Sequence, residues 1–392
     1  MNCKVILLVL FCGISSISCA DTNPYNVLSV SERDSLLKHR IESIRKEFKS
    51  VGLYASAVKK GEIVYSSTFG YNPDYSDTTK RKSIRNDDLF LIASVSKTFV
   101  GTAIMQLVEK NRISLDDDVN KYLDFSVRNP KFPQIPITIR MLLCHRSGLK
   151  RSSPYPDFLY VIKDGNPDKL KPLFEGFAPN SNMSYSNMGF DVLGAMVENV
   201  TGIRFDDYVD INILKPLGIG GGYDLQKLDT GRFVRTYSYK NGIFVKQSPV
   251  YFKKRILEND YKLGYSTTVL WPAGGMVISG YDLTKYMLAH MNKGKLKGHK
   301  KILKKRSEEL LWERQTGTNH GLSFVHFAKT IPGEDLIGMT GGARGIHSVM
   351  MFNPEKGIGF VVICNGCTSE SADGIEMNKQ IMKELYNAYI AY

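Results

Sequence analysis

Residues 89–110 read LFLIASVSKTFVGTAIMQLVEK. A short apolar run, Leu89 to Ala93, leads into a helix predicted from about Ser96 to Lys110, with Phe99, Ala103, Ile104 and Leu107 at core spacing. Ser94 and Lys97 stand three residues apart at the junction, so a helical start sets the ammonium one turn on from the hydroxyl. A serine hydroxyl is a weak nucleophile until a base is held within hydrogen-bond reach. A helix start also offers unpaired backbone N–H groups to a developing oxyanion. The same spacing occurs at Ser35/Lys38, Ser43/Lys46, Ser56/Lys59 and Ser147/Lys150. The first two pairs lie in a surface helix, the third has its members on opposite faces of a strand, and the fourth sits in a helix-ending turn. Only Ser94 follows an apolar run and opens an apolar helix.

On the N-terminal side, Ser31 to Phe48 is predicted to be an amphipathic helix with Leu37, Ile41, Ile44 and Phe48 on one face. Strands are predicted over 51–58 and 63–69, turning at Lys60-Gly61-Glu62. On the C-terminal side come helices over 137–143, 189–200 and 205–214, in a loop-rich stretch punctuated by Pro154, Pro156, Pro167 and Pro179. Short strands over 236–239 and 243–247 flank Asn241-Gly242. A second hairpin spans 345–352 and 357–364, and a helix over 372–389 closes the chain. The pattern predicts an α+β fold: an antiparallel sheet pairing the first and last hairpins, flanked by the N- and C-terminal helices, plus a mostly helical lobe. The expected division is an α/β lobe over about 27–95 and 265–392 and a helical lobe over about 96–264. The cleft between lobes is the default place for a site.

The 392 residues carry 52 Lys and Arg against 39 Asp and Glu, a formal charge of +13, and are 43% apolar. That balance suits a packed globular protein and excludes a disordered, collagen-like or coiled-coil chain. The basic stretch from Lys293 to Arg306 holds no aromatic residue to stack bases, so it reads as a solvated loop and no nucleic-acid partner is expected. The opening MNCKVILLVLFCGISSISCADTNPY sets one Lys before an apolar run from Val5 to Ile14, the pattern of a secretory leader over 1–20. The run is shorter than the roughly 20 residues a spanning helix needs. Cleavage before Asp21 gives a secreted or periplasmic protein. Ser16-Ile17-Ser18-Cys19 weakly resembles a bacterial lipobox, which would instead leave Cys19 lipidated at the cell envelope, and membrane contact is expected only through such a lipid. Of six cysteines, Cys144, Cys364 and Cys367 lie in the body, too few and too odd for a disulfide framework. Cys364-Asn365-Gly366-Cys367 has no second CxxC or clustered His beside it and reads as a strand end and turn. Asp116, Asp117 and Asp118 read as a solvated loop, so no metal site is expected.

Tyr185-Ser186-Asn187 supplies a second set of groups. A tyrosine near a cationic lysine ionises more easily and can act as a base, and Asn187 can hydrogen-bond the lysine and a substrate carbonyl. Tyr239-Lys240-Asn241 repeats the pattern inside a hairpin turn, whereas Tyr185 precedes a helix. Five ordered segments now stand together: Ser94-Val95-Ser96-Lys97, LLCHRSGL over 142–149, Tyr185-Ser186-Asn187, VTGIRFDDYV through ILKPLGI over 200–219, and PAGGMVISGYDL over 272–283. On these the chain resembles the serine β-lactamase and penicillin-binding-protein superfamily, most of all its class C β-lactamase-related branch.

The resemblance implies Ser94 as the acylated nucleophile, Lys97 as its activating partner, Tyr185 as the base that relays protons and Asn187 as a positioning residue. It places the family's third motif at Met339-Thr340-Gly341, followed by Gly342, on the strand lining the cleft. The backbone N–H groups of Ser94 and Gly342 would form the oxyanion hole. The family usually carries Lys or His where this chain has Met339, and a thioether supplies no positive charge. Arg344 or His347 is the expected replacement, and His145 is expected to be structural. The expected function is an exported serine hydrolase working through acyl-Ser94 on ester or amide bonds of a small-molecule or peptide substrate, with Asn187, Thr340, Gly341, Gly342 and Arg344 around the substrate. No metal or organic cofactor is expected. The alternatives are a β-lactamase or D-Ala-D-Ala carboxypeptidase, and a non-catalytic binder of penicillin or cell-wall peptide.

Overall fold

The computed structural model describes residues 23–73, 81–247, 260–343, 345–367 and 371–391. The expected leader over 1–20, with Cys19, and Arg344 lie outside the described residues.

Helix α1 (Val30–Glu47) starts at a capping box, in which the Ser29 hydroxyl accepts from the Glu32 N–H and the Glu32 carboxylate accepts from the Ser29 N–H. β1 (Gly52–Lys59) and β2 (Glu62–Pro73) follow as a hairpin, then β3 (Arg81–Ser83) and β4 (Leu89–Leu91). The middle of the chain holds α2 (Lys97–Glu109), α3 (Ile139–Leu143), α4 (Phe158–Asp164), α5 (Pro167–Leu170), α6 (Asn187–Thr201), α7 (Phe205–Val209) and α8 (Lys215–Leu217). Next come β5 (Gly221–Gly222), β6 (Tyr237–Lys240), β7 (Ile243–Lys246), β8 (Val277–Ser279), α9 (Gly280–Met291) and α10 (Lys305–Trp312). The chain ends through β9 (Val325–Phe327), β10 (Leu336–Ala343), β11 (Ile346–Asn353), β12 (Ile358–Asn365) and α11 (Ser371–Tyr389).

The main sheet is antiparallel in the order β3-β2-β1-β12-β11-β10-β9. Its central pairing joins the two ends of the chain, with Leu53 opposite Cys364 and Ala55 opposite Val362. The first and last hairpins therefore share one sheet, as their sequences predict. Alternate residues of β12 divide between two cores. Phe360, Val362 and Cys364 pack with Leu37, Ile41, Met377 and Leu385 of the terminal helices. Val361 and Ile363 join Tyr54, Met287 and the helices of the middle. A strand covered on both faces is apolar throughout, which is why β12 reads as an unbroken run. α9 comes close to the sheet because it begins at Gly280: a Cβ there would lie 2.1 Å from the Tyr54 ring.

Several features depart from expectation, and the largely buried helix α9 was not expected at all. β10 shows no apolar alternation of its own, because its three glycines dilute it, so a strand there was expected only from the resemblance, and the three-residue β9 beside it was not expected. The expected helix over 205–214 is α7 followed by a wider π-type turn over Asp210–Leu214. Lys305 and Arg306 of the basic stretch open α10 rather than lie in a loop. The helix after Ser94 begins with a 3-10 turn over Ala93–Ser96, and α2 proper starts at Lys97.

Every residue of α2 from Lys97 to Leu107 is buried, as is every residue of α6 from Met188 to Glu198, the mark of core helices. Glu198 ends that run with its carboxylate fully enclosed. It accepts from the Phe205 N–H at 2.9 Å, the Gly264 N–H at 2.8 Å, the Thr267 hydroxyl at 2.5 Å and the Tyr261 hydroxyl at 2.5 Å. One side chain thus satisfies donors from α7 and from the segment around 261–267. Glu198→Ala, which strands those donors, is expected to cost roughly 3 kcal/mol or more of stability, and Glu198→Gln less, as read from urea midpoints. Equal midpoints for wild type and the Ala variant would refute this role.

Candidate active site

Between Leu89 and Leu107 every residue is buried except Ser94. The backbone explains its exposure. Ala93 has φ +46°, in the left-handed region that costs a non-glycine residue about 1 kcal/mol, and this turns the chain so that the next side chain faces the cleft. Strain of this kind persists only where the surroundings over-determine it. Here the Ile92 N–H donates to the Met276 carbonyl at 3.1 Å, and the Ser348 hydroxyl of β11 donates to the Ile92 carbonyl at 2.7 Å. The Met276 N–H donates to Ser96 Oγ at 3.0 Å, and the Tyr223 hydroxyl to the Ser96 carbonyl at 2.9 Å. Gly341 of β10 closes in from the other side: a Cβ there would sit 2.3 Å from the Ile92 carbonyl oxygen and 3.1 Å from the Ser94 nitrogen. Only glycine lets β10 lie this close to the serine turn.

Two of the residues singled out in the sequence meet at the serine, and a third, Asn187, joins through Lys97. Lys97 Nζ lies 3.1 Å from Ser94 Oγ, and the Tyr185 hydroxyl lies 2.8 Å from it. Lys97 is fully buried and also donates to Asn187 Oδ1 at 2.8 Å and to the Ala273 carbonyl at 2.7 Å. Asn187 is the first residue of α6, capped by the Ser186 hydroxyl, which accepts from the Gly189 N–H at 3.0 Å. The preceding loop holds Tyr185 in place. Its Ser186 N–H donates to His145 Nδ1 at 3.0 Å, and the His145 and Tyr185 rings lie 4.3 Å apart. Burial, with Lys97 second, depresses the His145 pKa well below the usual value. His145 is therefore a neutral acceptor, in the structural role expected for it.

Burial sets the acid–base character. It pushes the Lys97 ammonium down to about 7, against the Asp191 charge, which favours the cation; Arg151 pushes the same way as burial. Burial likewise pushes Asp191 up to about 7, opposed by the Ala273 N–H that donates to it at 3.1 Å and by Lys97. Burial also raises Tyr185, against the Ser94 hydrogen bond and Arg151. Near neutral pH, then, the group that can shed its proton is Lys97, and the phenol keeps its own. A neutral amine retains two donors for Asn187 and Ala273 and turns its lone pair to the Ser94 hydroxyl.

Ser94 and Tyr185 open on a cavity of about 470 Å³, which Thr340, Gly341 and Gly342 also line. The third motif is therefore at the site. Met339 is not: its side chain is buried in the core. His347 lines the cavity, but burial lowers its pKa, with Asp373 opposing, so it is no standing cation at neutral pH. The expected substitute at Arg344 lies outside the described residues. Arg151 was not anticipated. It is exposed, lines the cavity, holds its guanidinium carbon 5.2 Å from the Tyr185 ring centroid, and has no acidic partner among the described residues. Asp191, the Ala273 carbonyl and Ser348 were missed as well, because nothing in a linear sequence signals that they converge on Lys97 and the serine turn. Among the described residues no group of three or more His, Cys, Asp or Glu could hold a metal, and Asp116 and Asp118 pair with Arg140 and Arg128.

The profile of the Beta-lactamase family matches residues 37–380. Penicillin-binding protein 4* of Bacillus subtilis (strain 168) is 32% identical over 173 residues, 42% of this chain and 36% of that protein. Beta-lactamase-like protein 2 of Dictyostelium discoideum is 28% identical over 308 residues, 74% of this chain and 52% of that protein. The chain thus spans about a third to a half of these relatives. Among solved structures, a class C beta-lactamase with a tyrosine-to-phenylalanine substitution shares the fold, with TM-score 0.69, 17% identity, and coverage of 92% of this chain and 99% of that one.

The acid–base arrangement predicts how Ser94 reacts. Its acylation rate should rise with pH through a midpoint near 7, as Lys97 loses its proton. Because the Asp191 charge favours the ammonium, Asp191→Asn should move that midpoint to lower pH. A rate flat from pH 5 to 9, or an unmoved midpoint in the variant, would contradict the assignment.

Proposed function

The chain belongs to the Beta-lactamase family of serine hydrolases, and from that premise we propose that it hydrolyses ester or amide bonds through an acyl group carried on Ser94. The observation that supports this best is the contact of Ser94 Oγ with both Lys97 Nζ and the Tyr185 hydroxyl, at the one residue between Leu89 and Leu107 that is not buried.

In this reading neutral Lys97 takes the Ser94 proton as Oγ bonds to the substrate carbonyl carbon. The carbonyl oxygen receives the electron pair, and the backbone N–H groups of Ser94 and Gly342 are the proposed donors to it. When the intermediate collapses, the bond to the leaving oxygen or nitrogen breaks and Tyr185 protonates the leaving atom. The proton on Lys97, whose nitrogen lies 5.0 Å from the tyrosine ring centroid, then restores the phenol. Water repeats the sequence on the acyl group: its proton passes to Lys97, its oxygen bonds to the carbonyl carbon, and Ser94 leaves as the hydroxyl. This assigns Lys97 as the base and keeps Tyr185 as the relay, because burial favours the uncharged forms of both.

The cavity suggests the substrate's charge. Arg151 and Lys379 line it, and no Asp or Glu does among the described residues. With Met339 buried in the core, Arg151 is the proposed anchor for a carboxylate on the substrate, which suits an acidic ester or a peptide. A β-lactamase or D-Ala-D-Ala carboxypeptidase remains the second reading, supported by the likeness to penicillin-binding protein 4* and set back by Met339. Export through the leader over 1–20, with or without a lipid on Cys19, belongs to the same proposal and is tested by the mass of the mature N-terminus.

A fluorophosphonate should label the wild type and not Ser94→Ala, and turnover should fall by more than about 1,000-fold in that variant. Undiminished labelling would overturn the proposal. A panel of short esters, nitrocefin and D-amino-acid peptides separates the two readings. Arg151→Ala should raise KM for a carboxylate-bearing ester about 10-fold and that for its neutral counterpart less than about 3-fold, the worth of one charge-assisted hydrogen bond. Equal changes on both substrates would remove Arg151 from recognition.

A further inference from the structure

Cys364 and Cys367 play no part in the chemistry above, yet the fold places them together. Cys364 is the penultimate residue of β12, and Cys367 lies three residues on, before α11. Gly366 between them has φ +83°, and a Cβ on it would lie 2.4 Å from Val51 Cγ2. Only glycine can make this turn, and it doubles the chain back until the two sulfurs stand 3.2 Å apart, both fully buried. Met377 of α11 adds a third sulfur, 3.9 Å from that of Cys367. No third His, Cys, Asp or Glu joins the pair to make a metal site among the described residues. A disulfide bond is about 2.05 Å long, so roughly 1 Å of approach separates this contact from a covalent bridge.

We propose that Cys364 and Cys367 are a modification site: a dithiol that closes to an intramolecular disulfide by exchange with a low-molecular-weight or protein disulfide. Cys367 is the attacking thiol, because it follows the last strand residue and can be uncovered without unpairing β12. Its thiolate bonds to one sulfur of the external disulfide and releases the other as a thiol. The Cys364 thiolate then bonds to the Cys367 sulfur and releases the second external thiol. Two protein thiols lose two electrons and two protons, and the external disulfide gains them. Burial raises the Cys364 pKa, so exchange is slow until the turn opens.

The bridge would lock a structural junction. The Gly366 N–H donates to the Gly345 carbonyl at 2.9 Å, at the turn joining β10 to β11, and the Tyr239 N–H of β6 donates to the Cys367 carbonyl at 3.0 Å. Asn365 accepts from the Gly52 N–H at 2.9 Å and donates to the Arg235 carbonyl. Beyond the turn, α11 carries Ile375, Asn378, Lys379 and Met382 to the cavity. A disulfide would therefore stiffen one wall of the site without touching Ser94. The inference does not depend on the hydrolase reading, because its readouts are mass and melting temperature.

The test incubates the full chain with oxidised glutathione, quenches in acid, alkylates in denaturant and weighs the proteolytic peptide holding both cysteines. Loss of two hydrogens from that peptide, with Cys144 still alkylated, is the expected result, reversed by dithiothreitol. The oxidised protein should melt roughly 2 °C or more higher, and the double variant Cys364→Ala/Cys367→Ala should show no redox-dependent shift. Two free thiols in the wild-type peptide after oxidation, or one thiol carrying glutathione that never resolves, overturns the proposal whether or not the variant folds.

Discussion

A lysine nitrogen with no access to solvent must satisfy its hydrogens inside the protein, and Lys97 does so on oxygens from three separate segments: Ser94 Oγ in the serine turn, Asn187 Oδ1 at the start of α6, and the Ala273 carbonyl before β8. A buried ammonium without such partners costs several kcal/mol. The arrangement therefore ties α2, α6 and the 273 loop to one point, and an error in any of them leaves a charge or a lone pair unmatched. The same burial that makes the site demanding makes it reactive, since it brings the amine toward its neutral form at ordinary pH. Ala273 extends the linkage: its carbonyl accepts from Lys97 while its N–H holds Asp191.

The serine turn is held from the sheet as firmly as Lys97 is held from the helices. Ala93 stays in a conformation it would not choose because Ser348, Met276 and Tyr223 bond to the residues around it. β10 can approach only because Gly341 has no side chain. The cost of the strained turn is offset by a main sheet whose central strands are buried on both faces. The strands that meet the serine turn, β10 and β11, belong to the sheet in which β1 and β12 join the two ends of the chain.

Charge is distributed with the same economy. Met339 of β10, where the resemblance led one to expect a basic residue, serves the core, while a cation reaches the cavity from the loop after α3 as Arg151. A loop side chain can be exchanged without disturbing strand packing, so the cation at the cavity is separable from the buried Lys97 cluster.

The sequence alone determined the pairing of the two hairpins and the core helices α2 and α6, and marked out Ser94, Lys97, Tyr185 and Asn187 as candidates, because each is announced locally: alternation or helical spacing for the elements, and short motifs in a fixed order for the site; α9 it did not mark. It gave no pattern for the three-residue β9 and none for β10, whose glycines erase the period and whose strand was expected only from the resemblance, nor for Arg151, Asp191, Ala273 and Ser348, whose roles exist only through contacts between distant segments. The CxxC pair lies between the two cases. Its residues were plain in the sequence, but whether their sulfurs face each other depends on a left-handed glycine pressed against Val51. Local spacing limits what neighbours along the chain can do; proton affinity, charge placement and sulfur contact depend on what burial and tertiary packing bring within a few ångströms.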